Sequence, residues 1–311
     1  MKTTLLFLSV FLSASLFGQN VYIPDANFKN YLLSHTDAFG VIDINTNGDS
    51  EIQVSEASVF NGLMDCSGFG ISDMTGIEAF TALTELFCFT NQLTSLDVSQ
   101  NTALIDLYCW DNQLTTLNVN GASALTILNC RENQLTNLDL SQNTALRRLV
   151  CSDNPLTSLD VSQNISLTGL DCENTEITSL DLSQNFSLSQ NSNATSYIYV
   201  GYNPQLTCLN VANGSNLFIN SFEAQQNSSL FCIQVDDAEW ATANWTNIDA
   251  QTAYSEDCNN DCTSSLNELS TSKNLIQILD LMGRETSFKP NTPLIYVYDD
   301  GSIEKVFSVE Y

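Results

Sequence analysis

The chain has 311 residues and carries 36 acidic against 9 basic side chains, which gives a formal net charge of −27. Between His35 and Lys273 the sequence contains three basic residues, Arg131, Arg147 and Arg148. So acidic a surface argues against nucleic acid or an anionic membrane as the partner, because binding either one requires Lys or Arg side chains to neutralise phosphate.

The first 18 residues have the plan of a secretory signal peptide. Lys2 is followed by the apolar run "LLFLSVFLSASLF" and then by Gly18. This run is too short to remain as a membrane span, and no later stretch is apolar enough to cross a bilayer. We therefore expect residues 1–18 to be removed and the rest of the chain to be exported without a transmembrane anchor.

Residues 19–62 are predicted to cap the start of the molecule, with a helix in "IPDANFKNYLLSH". The loop "NTNGDSEIQVSE" that follows has the ligand order of an EF-hand calcium loop: Asn45, Asn47, Asp49, the backbone of Glu51, Gln53 and Glu56. Asn45 stands where Asp is expected, and Ser50 stands where Gly makes the sharp turn. Counting from Asp43 restores "DINTNG" but puts Val54 at the Glu position. The sequence therefore predicts either a weak calcium site or a polar capping loop without metal.

Residues 63–235 repeat the unit L-x-x-L-x-C-x-x-N-x-L-x-x-L-x-V-x-x-N-x-x with a period of about 21 residues in the regular part. In each unit "LxC" alternates apolar and polar residues, which predicts a short strand with its apolar side inward. Successive units then stack in parallel, and each covers the hydrophobic face of its neighbour. We predict an α/β-type repeat solenoid of about eight short parallel strands, with a helical N-terminal cap and a small C-terminal β unit.

The first eleven positions of the unit match the leucine-rich repeat consensus. Residues 63–235 therefore resemble a leucine-rich repeat protein, most like the short-repeat bacterial kind typified by internalins. The match is strong from Leu83 to Phe186. It weakens in "MDCSGFGISDM" before this stretch and in "YIYVGYNPQLTCLNV" and "FEAQQNSSLFCIQV" after it.

Two columns of polar or polarisable residues accompany the leucines. The cysteines are Cys66, Cys88, Cys109, Cys130, Cys151 and Cys172, and the asparagines are Asn91, Asn112, Asn133 and Asn154. Parallel neighbours hold Cβ atoms ~4.8 Å apart, whereas a disulfide needs ~3.8 Å, so these thiols are predicted to be buried small hydrophobes. The asparagines are expected to satisfy turn backbone groups at the strand ends. Thr175 replaces the fifth Asn, which predicts a looser turn.

Four further cysteines fall at the end of the array, where residues 236–262 are predicted to form a C-terminal cap. They are Cys208, Cys232, Cys258 and Cys262, and they allow three pairings. Secretion makes disulfides expected. We favour a Cys232–Cys258 bridge that closes the cap over the last open edge, which leaves Cys208 with Cys262.

Residues 263–311 combine a polar linker, "TSSLNELSTSK", with two alternating runs that predict a small β unit. This stretch is similar to the C-terminal sorting domain of cargo exported by type IX secretion in the Bacteroidetes, on Asp280, Gly283, Arg284 and Lys305. The resemblance implies the type IX secretion machinery as a partner and a secreted, extracellular or surface-attached protein. The "YPNP"-type opening of the longer class is absent. An ordinary β-hairpin cap is the alternative.

The positions that vary between units are predicted to face outward on the concave side of the strands. One row is Phe87, Tyr108, Asn129, Val150 and Asp171, and the next is Phe89, Trp110, Arg131, Ser152 and Glu173. Exposed aromatic groups on a rigid sheet are typical of recognition surfaces. We predict a ligand-binding surface for a protein or a glycan at Phe87, Phe89, Tyr108, Trp110, Arg131 and Arg148. Packing of Phe87 and Phe89 against the N-terminal cap is the alternative.

An enzyme is the rival functional class, although His35 is the one histidine and the sequence has no serine–histidine, zinc-binding or P-loop pattern. Two carboxylates could still cleave a glycoside, and the candidate pairs are Glu85 with Asp106 and Asp171 with Glu173. The carboxylates of Asp97, Asp139, Asp160 and Asp181 are interpreted as a solvated stripe on another face. We predict a monomeric, secreted or cell-surface binding protein for adhesion or recognition, not an enzyme; a glycan-processing enzyme and a purely structural surface protein are the alternatives.

Overall fold

The computed structural model describes residues 19–34, 44–189, 196–214, 216–258, 262, 275–279, 286, 294–298 and 303–306. The chain divides into two compact units, Met1–Ser264 and Ser265–Tyr311. The predicted signal peptide lies outside the described residues. Across the described residues, no helix has both the length and the apolar character that crossing a membrane requires.

The first unit contains fourteen described strands. In chain order they are β1 (Leu63–Asp65), β2 (Glu85–Phe87), β3 (Ser95–Asp97), β4 (Asp106–Tyr108), β5 (Thr116–Asn118), β6 (Ile127–Asn129), β7 (Arg148–Val150), β8 (Gly169–Asp171), β9 (Ser179–Asp181), β10 (Ser196–Tyr199), β11 (Cys208–Asn210), β12 (Ile219–Glu223), β13 (Cys232–Gln234) and β14 (Ala253–Ser255). Short 3-10 helices occupy Ile77–Ala79, Phe186–Ser189 and Asn216–Phe218. Most strands have three residues because each unit turns again after its "LxC" segment.

Eight of these strands form one parallel sheet in the order β1-β2-β4-β6-β7-β8-β10-β12. Equivalent residues of neighbouring units pair, so that Leu86 lies beside Leu107 and Leu107 beside Leu128. The predicted solenoid of about eight short parallel strands is therefore confirmed, and its fold is that of a leucine-rich repeat array.

The inward side of this sheet is the core of the array. Leu86, Leu107 and Leu128 are fully buried, and burying each leucine contributes roughly 2 kcal/mol. All six cysteines of the predicted column are buried and free. Burial raises the pKa of Cys130 to about 12, so this thiol stays protonated and behaves as a small hydrophobe.

The asparagines satisfy turn backbone groups, as predicted, and they also bind each turn to the preceding unit. The Asn133 amide nitrogen donates to the carbonyl oxygens of Cys109 and Cys130 at 3.1 and 3.0 Å, and its oxygen accepts from the Leu114 amide at 2.9 Å. At the fifth unit, the Thr175 amide and hydroxyl both donate to Asn203, each at 2.7 Å. The turn with Thr175 is therefore hydrogen-bonded to the next unit even though it lacks the Asn.

Shorter parallel sheets line another side of the array, in the orders β3-β5 and β14-β13-β11-β9. The predicted acidic stripe lies here, at Asp97, Asp139, Asp160 and Asp181. Each of these carboxylates accepts a hydrogen bond from the backbone amide two residues later, at 2.8 to 3.0 Å. The hydrogen bond from Ser141 is the main cause that lowers the pKa of Asp139. The stripe is thus a set of turn-forming side chains as well as a solvated face.

A cap covers the N-terminal end of the array. It contains α1 (Ala26–Ser34) and α2 (Val54–Ala57), and α1 confirms the helix predicted in this segment. Phe28, Tyr31 and Leu32 form the buried side of α1. Asn20 pairs with Gln53 in an isolated antiparallel bridge, which ties the entering chain to the loop before α2.

The C-terminal end of the array is closed by two disulfides, Cys208–Cys262 and Cys232–Cys258. Both favoured pairings are therefore confirmed. In the sequence, α3 (Ala238–Asn244) lies between Cys232 and Cys258. Asp237 caps the N-terminus of this helix, and its carboxylate accepts a hydrogen bond from the Trp240 backbone amide at 2.8 Å. The ring of Trp245 stacks on Phe222 with centroids 4.4 Å apart, so an aromatic layer covers the last apolar surface.

The second unit contains an antiparallel sheet of β15 (Leu275–Leu279), β16 (Leu294–Tyr298) and β17 (Ile303–Val306), in that order. These strands confirm the predicted small β unit. Lys305 belongs to β17. Asp280, Gly283 and Arg284, which carry the similarity to a sorting domain, lie outside the described residues.

Candidate binding surface on the outer face of the eight-stranded sheet

The outer face of the eight-stranded sheet is formed by the residues on either side of the buried leucine in each strand. The strand register aligns Phe87 with Tyr108 and Tyr108 with Asn129. Phe89 and Trp110 lie two residues beyond the ends of the neighbouring strands β2 and β4. The structure therefore brings together the four aromatic residues predicted from the sequence.

We call Phe87, Phe89, Tyr108 and Trp110 the aromatic patch. The Phe87 and Tyr108 rings meet edge to face with centroids 4.7 Å apart. The Phe89 and Trp110 rings are stacked at 4.6 Å with an interplanar angle of 9°. All four side chains are partly buried, because each ring covers its neighbour. The patch is thus a preformed layer of rings with accessible surface.

The two predicted arginines lie at opposite ends of two neighbouring central strands, β6 and β7. Arg148 begins β7 and pairs in register with Ile127 and Gly169. Arg131 lies two residues beyond the end of β6, and its Nε donates to the Asp153 carboxylate at 2.8 Å. Both side chains are exposed. They flank the centre of the sheet and do not form one cluster.

Sequence reasoning missed a second pair of aromatic residues on the outer face, Tyr197 and Tyr199 of β10. Their ring centroids are 4.9 Å apart. A Cβ on Gly169 would lie 2.4 Å from Cε1 of Tyr197, so this ring lies directly over the glycine backbone. Burial raises the pKa of Tyr197, and the nearby Arg148 guanidinium opposes that change. The alternation in "SYIYV" was the available signal, but the lengthened unit before β10 breaks the period that would have placed it.

The end of the face beside these tyrosines is acidic. Burial raises the pKa of Asp171, whose carboxylate accepts from the Ser152 hydroxyl at 3.2 Å. Burial is also the main cause that raises the pKa of Glu173, and the negative charges of Asp171 and Glu223 raise it further. The two ends of the outer face therefore differ: the aromatic patch lies at the β2 and β4 end, and the carboxyls whose pKa is raised by burial, Asp171 and Glu173, lie at the end beside Tyr197 and Tyr199.

Both carboxylate pairs considered for glycoside cleavage lie on this face. Glu85 and Asp106 are register partners on β2 and β4. Asp171 ends β8, and its carboxylate accepts the backbone amide of Glu173 at 3.2 Å. This bond and the Ser152 hydroxyl hold Asp171 in a fixed position. Hydrogen bonds of this kind occur at charged binding surfaces and at reaction centres alike, so they do not favour glycoside cleavage over binding.

The EF-hand-like loop before α2 is closed by its own hydrogen bonds. The Asn45 amide donates to the Asp49 carbonyl oxygen at 2.7 Å, and the Asn47 amide donates to the Gln53 side chain at 2.7 Å. The Asp49 carboxylate in turn accepts the Glu51 amide at 2.8 Å. The side chains of Asn45, Asn47, Asp49 and Gln53 thus all have hydrogen-bond partners within the loop.

Glu56, the predicted bidentate ligand, is also engaged. One carboxylate oxygen accepts from the Thr46 hydroxyl at 2.8 Å, and the other accepts from the Gln53 amide at 3.0 Å. Glu51 forms an ion pair with Lys29 at 2.8 Å. A calcium ion would have to compete with these bonds at Glu56.

The comparisons with known proteins agree with the repeat. No protein-family model matches the chain. Over 82 residues, 26% of this chain and 8% of the relative, it is 35% identical to Internalin J of Listeria monocytogenes. The chain thus spans less than a tenth of the length of that relative, and the similarity lies in an internalin-like leucine-rich repeat region.

Solved structures share the arrangement at low similarity. The functional domain of InlJ from Listeria monocytogenes, which includes a cysteine ladder, is 26% identical, with 76% of this chain and 70% of that chain covered and a TM-score of 0.36. A leucine-rich repeat protein of Leptospira interrogans is 17% identical over 65% of this chain and 58% of its own, with a TM-score of 0.47. The internalin InlF of Listeria monocytogenes is 16% identical over 78% and 94% of the two chains, with a TM-score of 0.41.

Proposed function

We propose that the protein is a secreted or surface-attached binding protein that recognises another protein through the outer face of the eight-stranded sheet. The observation that carries this proposal is the aromatic patch, in which four rings from two units lie in contact with one another on the solvent side of a rigid sheet. Packing of the array requires the inward leucines and cysteines, but it does not require Tyr108 or Trp110.

The charge pattern of the face indicates the chemistry of the partner. Carboxylates of Asp171, Glu173 and Glu223 lie at one end, and the aromatic patch lies at the other. A protein with apolar side chains beside a basic rim would complement both ends, and the acidic surface would steer it into contact. A glycan stacked on the rings remains the other ligand class, and the acidic end would contribute less to its binding.

The proposal is tested by probing an array of purified extracellular and surface proteins with the full chain and measuring the affinity of each protein that binds. Trp110→Ala and Tyr108→Ala should each weaken binding at least tenfold, because truncation of a central aromatic residue costs about 2 kcal/mol or more. Phe231→Ala is the matched control, since Phe231 is an exposed ring that precedes β13 and lies outside the eight-stranded sheet.

Asp160→Asn is a second control, because it removes a charge from the acidic stripe and keeps an oxygen that can accept the Ser162 amide. Both controls should bind like the wild type. Equal affinity of the wild type and Trp110→Ala would contradict the proposal, and so would an array on which no protein binds the chain.

Export and surface attachment belong to the same proposal. Two disulfides close the array, and such bridges persist in oxidising compartments outside the cytosol. The apolar leader and the resemblance of residues 263–311 to a type IX sorting domain support delivery to the cell surface by that machinery. An ordinary β-hairpin cap at the C-terminus would predict export that does not depend on this segment.

Calcium at the EF-hand-like loop is proposed as a weak ligand at most. The first position is Asn45 instead of Asp, which removes one negative charge from the site, and the Glu56 carboxylate already accepts three hydrogen bonds, from Thr46, Asn47 and Gln53. Titration calorimetry of the full chain should show affinity weaker than micromolar. Sub-micromolar binding that disappears in Glu56→Gln would overturn this proposal.

A further inference from the structure

A pocket lies where three turns meet near the C-terminal end of the array, and no function has been assigned to it above. Its volume is about 460 Å³, which is within the range of small-ligand sites. The residues that line it include Asn174, Tyr202, Pro204, Gln226, Asp249 and Gln251. They follow β8, β10 and β12 or precede β14, so the pocket lies outside the aromatic patch.

The pocket is built on a repeated backbone feature. One residue in each turn has a positive φ: Thr90, Asp111, Glu132, Asp153, Asn174, Tyr202 and Gln226. The earlier members carry short or acidic side chains. Tyr202, with a φ of 60°, places a ring in a conformation that aromatic residues rarely adopt, and this ring is 57% exposed. Stacking of the units needs a turn here, but it does not need an exposed ring.

Hydrogen bonds hold the wall of the pocket in place. The Asp249 carboxylate accepts the backbone amides of Gln226 and Asn227 at 2.9 and 2.6 Å. The Tyr202 amide donates to the Gln225 carbonyl oxygen at 2.8 Å. The neighbouring turns are therefore locked to each other, and the pocket is preformed.

The lining chemistry indicates the class of ligand. Tyr202 and Pro204 supply apolar ring surfaces, while Asn174, Gln226 and Gln251 supply amides, each with donors and an acceptor. None of the residues that line the pocket is basic, so nothing there would neutralise a phosphate, sulfate or carboxylate. One N–H of the Asn174 side-chain amide donates to Asp153 at 2.8 Å, and one N–H of the Gln251 side-chain amide donates to the Asn227 carbonyl oxygen at 3.3 Å. The second N–H of each amide can still donate to a ligand.

We propose that this pocket binds a neutral saccharide. The apolar C–H face of a sugar ring would lie on Tyr202, whose π surface is electronegative. Adjacent hydroxyl groups would exchange hydrogen bonds with the amides of Gln226 and Gln251. This site is independent of the outer sheet face, so a protein bound there and a saccharide bound here would occupy different surfaces.

The test is calorimetry or a glycan array with the full chain against neutral hexasaccharides of glucose, mannose, xylose and N-acetylglucosamine, with heparin and polygalacturonate oligosaccharides as acidic comparisons. At least one neutral hexasaccharide should bind with a sub-millimolar Kd, and the acidic oligosaccharides should not. Absence of neutral binding, or binding of the acidic oligosaccharides alone, would overturn the proposal.

Variants then locate the site. Tyr202→Ala and Gln226→Ala should each weaken binding of that hexasaccharide at least fivefold, whereas Tyr202→Phe keeps the ring and should stay within threefold of the wild type. Tyr22→Ala is the matched control, because Tyr22 is a 75% exposed tyrosine in the N-terminal cap. Thermal melting checks that the variants fold. Unchanged affinity in folded Tyr202→Ala, or an equal loss in Tyr22→Ala, would contradict the assignment.

Discussion

At the scale of single residues, the outer face concentrates buried negative charge at one end. The Asp171 carboxyl has Asp153, Glu173 and Arg131 around it, and burial is the main cause that raises its pKa. A carboxyl with a higher pKa in the folded protein than in the unfolded chain favours folding below its unfolded pKa. That contribution is lost as the pH rises through the folded pKa. Asp171 therefore opposes folding at neutral pH.

Removing this charge should make the protein more stable at neutral pH. Asp171→Asn keeps an oxygen that can accept the Glu173 amide and should raise the melting temperature at pH 7.5. The advantage should shrink as the pH falls from 7.5 into the acidic range, because the raised pKa of Asp171 lets the wild-type carboxyl take up a proton there. Thermal melts of both proteins across this range measure the difference. A variant less stable than the wild type at pH 7.5 would contradict the assignment.

The buried thiols give a second prediction at this scale. Burial raises the pKa of Cys109 and Cys151 well above the ordinary value, and Cys130 is equally buried. Thiolate is the reactive form and access is closed, so thiol reagents should leave these three cysteines unmodified until denaturant is added. Mass spectrometry of labelled peptides measures this. Rapid modification of the native protein would show that the column is not in the core.

At the scale of structural elements, the array is held together by links between units as well as by stacked leucines. The Asn133 side chain contacts carbonyl oxygens of its own unit and of the unit before it. Stacking alone would leave these turn groups buried without partners, and each such group costs about 1 to 3 kcal/mol. The asparagine column therefore fixes the turns of adjacent units to one another.

Breaking one link should destabilise the whole array. Asn133→Ala removes partners from Cys109, Cys130 and Leu114 and should lower the free energy of unfolding by about 2 kcal/mol or more. The neighbouring Gln134 is exposed, and Gln134→Ala should change the free energy of unfolding by less than about 0.5 kcal/mol. Chemical denaturation of both variants gives the comparison. A similarly small effect in both variants would mean that the asparagine column does not stabilise the turns.

The regular elements could be predicted from the sequence and the irregular ones could not. A constant period places Phe87 beside Tyr108 without further information, because register follows from equal spacing. Tyr199 lies 28 residues after Asp171, its register partner, so counting by 21 misses it. Tyr202 was missed for a different reason: pockets between turns depend on backbone torsions and on Asp249, which is distant in the sequence.

At the scale of the whole molecule, the chain forms two compact units, Met1–Ser264 and Ser265–Tyr311, and we propose that the first binds the partner and the second directs delivery. The array ends with its own disulfides, and the second unit has its own antiparallel sheet. The first unit has a buried core that includes residues from Val21 to Trp245. Folding of the array should therefore not depend on residues 266–311.

Deletion of residues 266–311 separates these roles. The truncated protein should remain inside the cell envelope, and its thermal transition should stay within about 2 °C of the full chain, because a separate domain adds little to the stability of its neighbour. Cell fractionation and calorimetry measure the two properties. Normal secretion of the truncated protein would contradict the sorting role, and loss of its folding would contradict the independence of the units.

Oxidative footprinting of the complex tests most directly whether the outer face is the binding surface. The full chain is exposed to hydroxyl radicals with and without the protein selected on the array, and oxidation of each aromatic residue is measured by mass spectrometry. Phe87, Tyr108 and Trp110 should become protected at least threefold in the complex, while Tyr22 and Phe231 should not change. Unchanged oxidation of the three patch residues, with protection elsewhere, would show that the partner binds another surface.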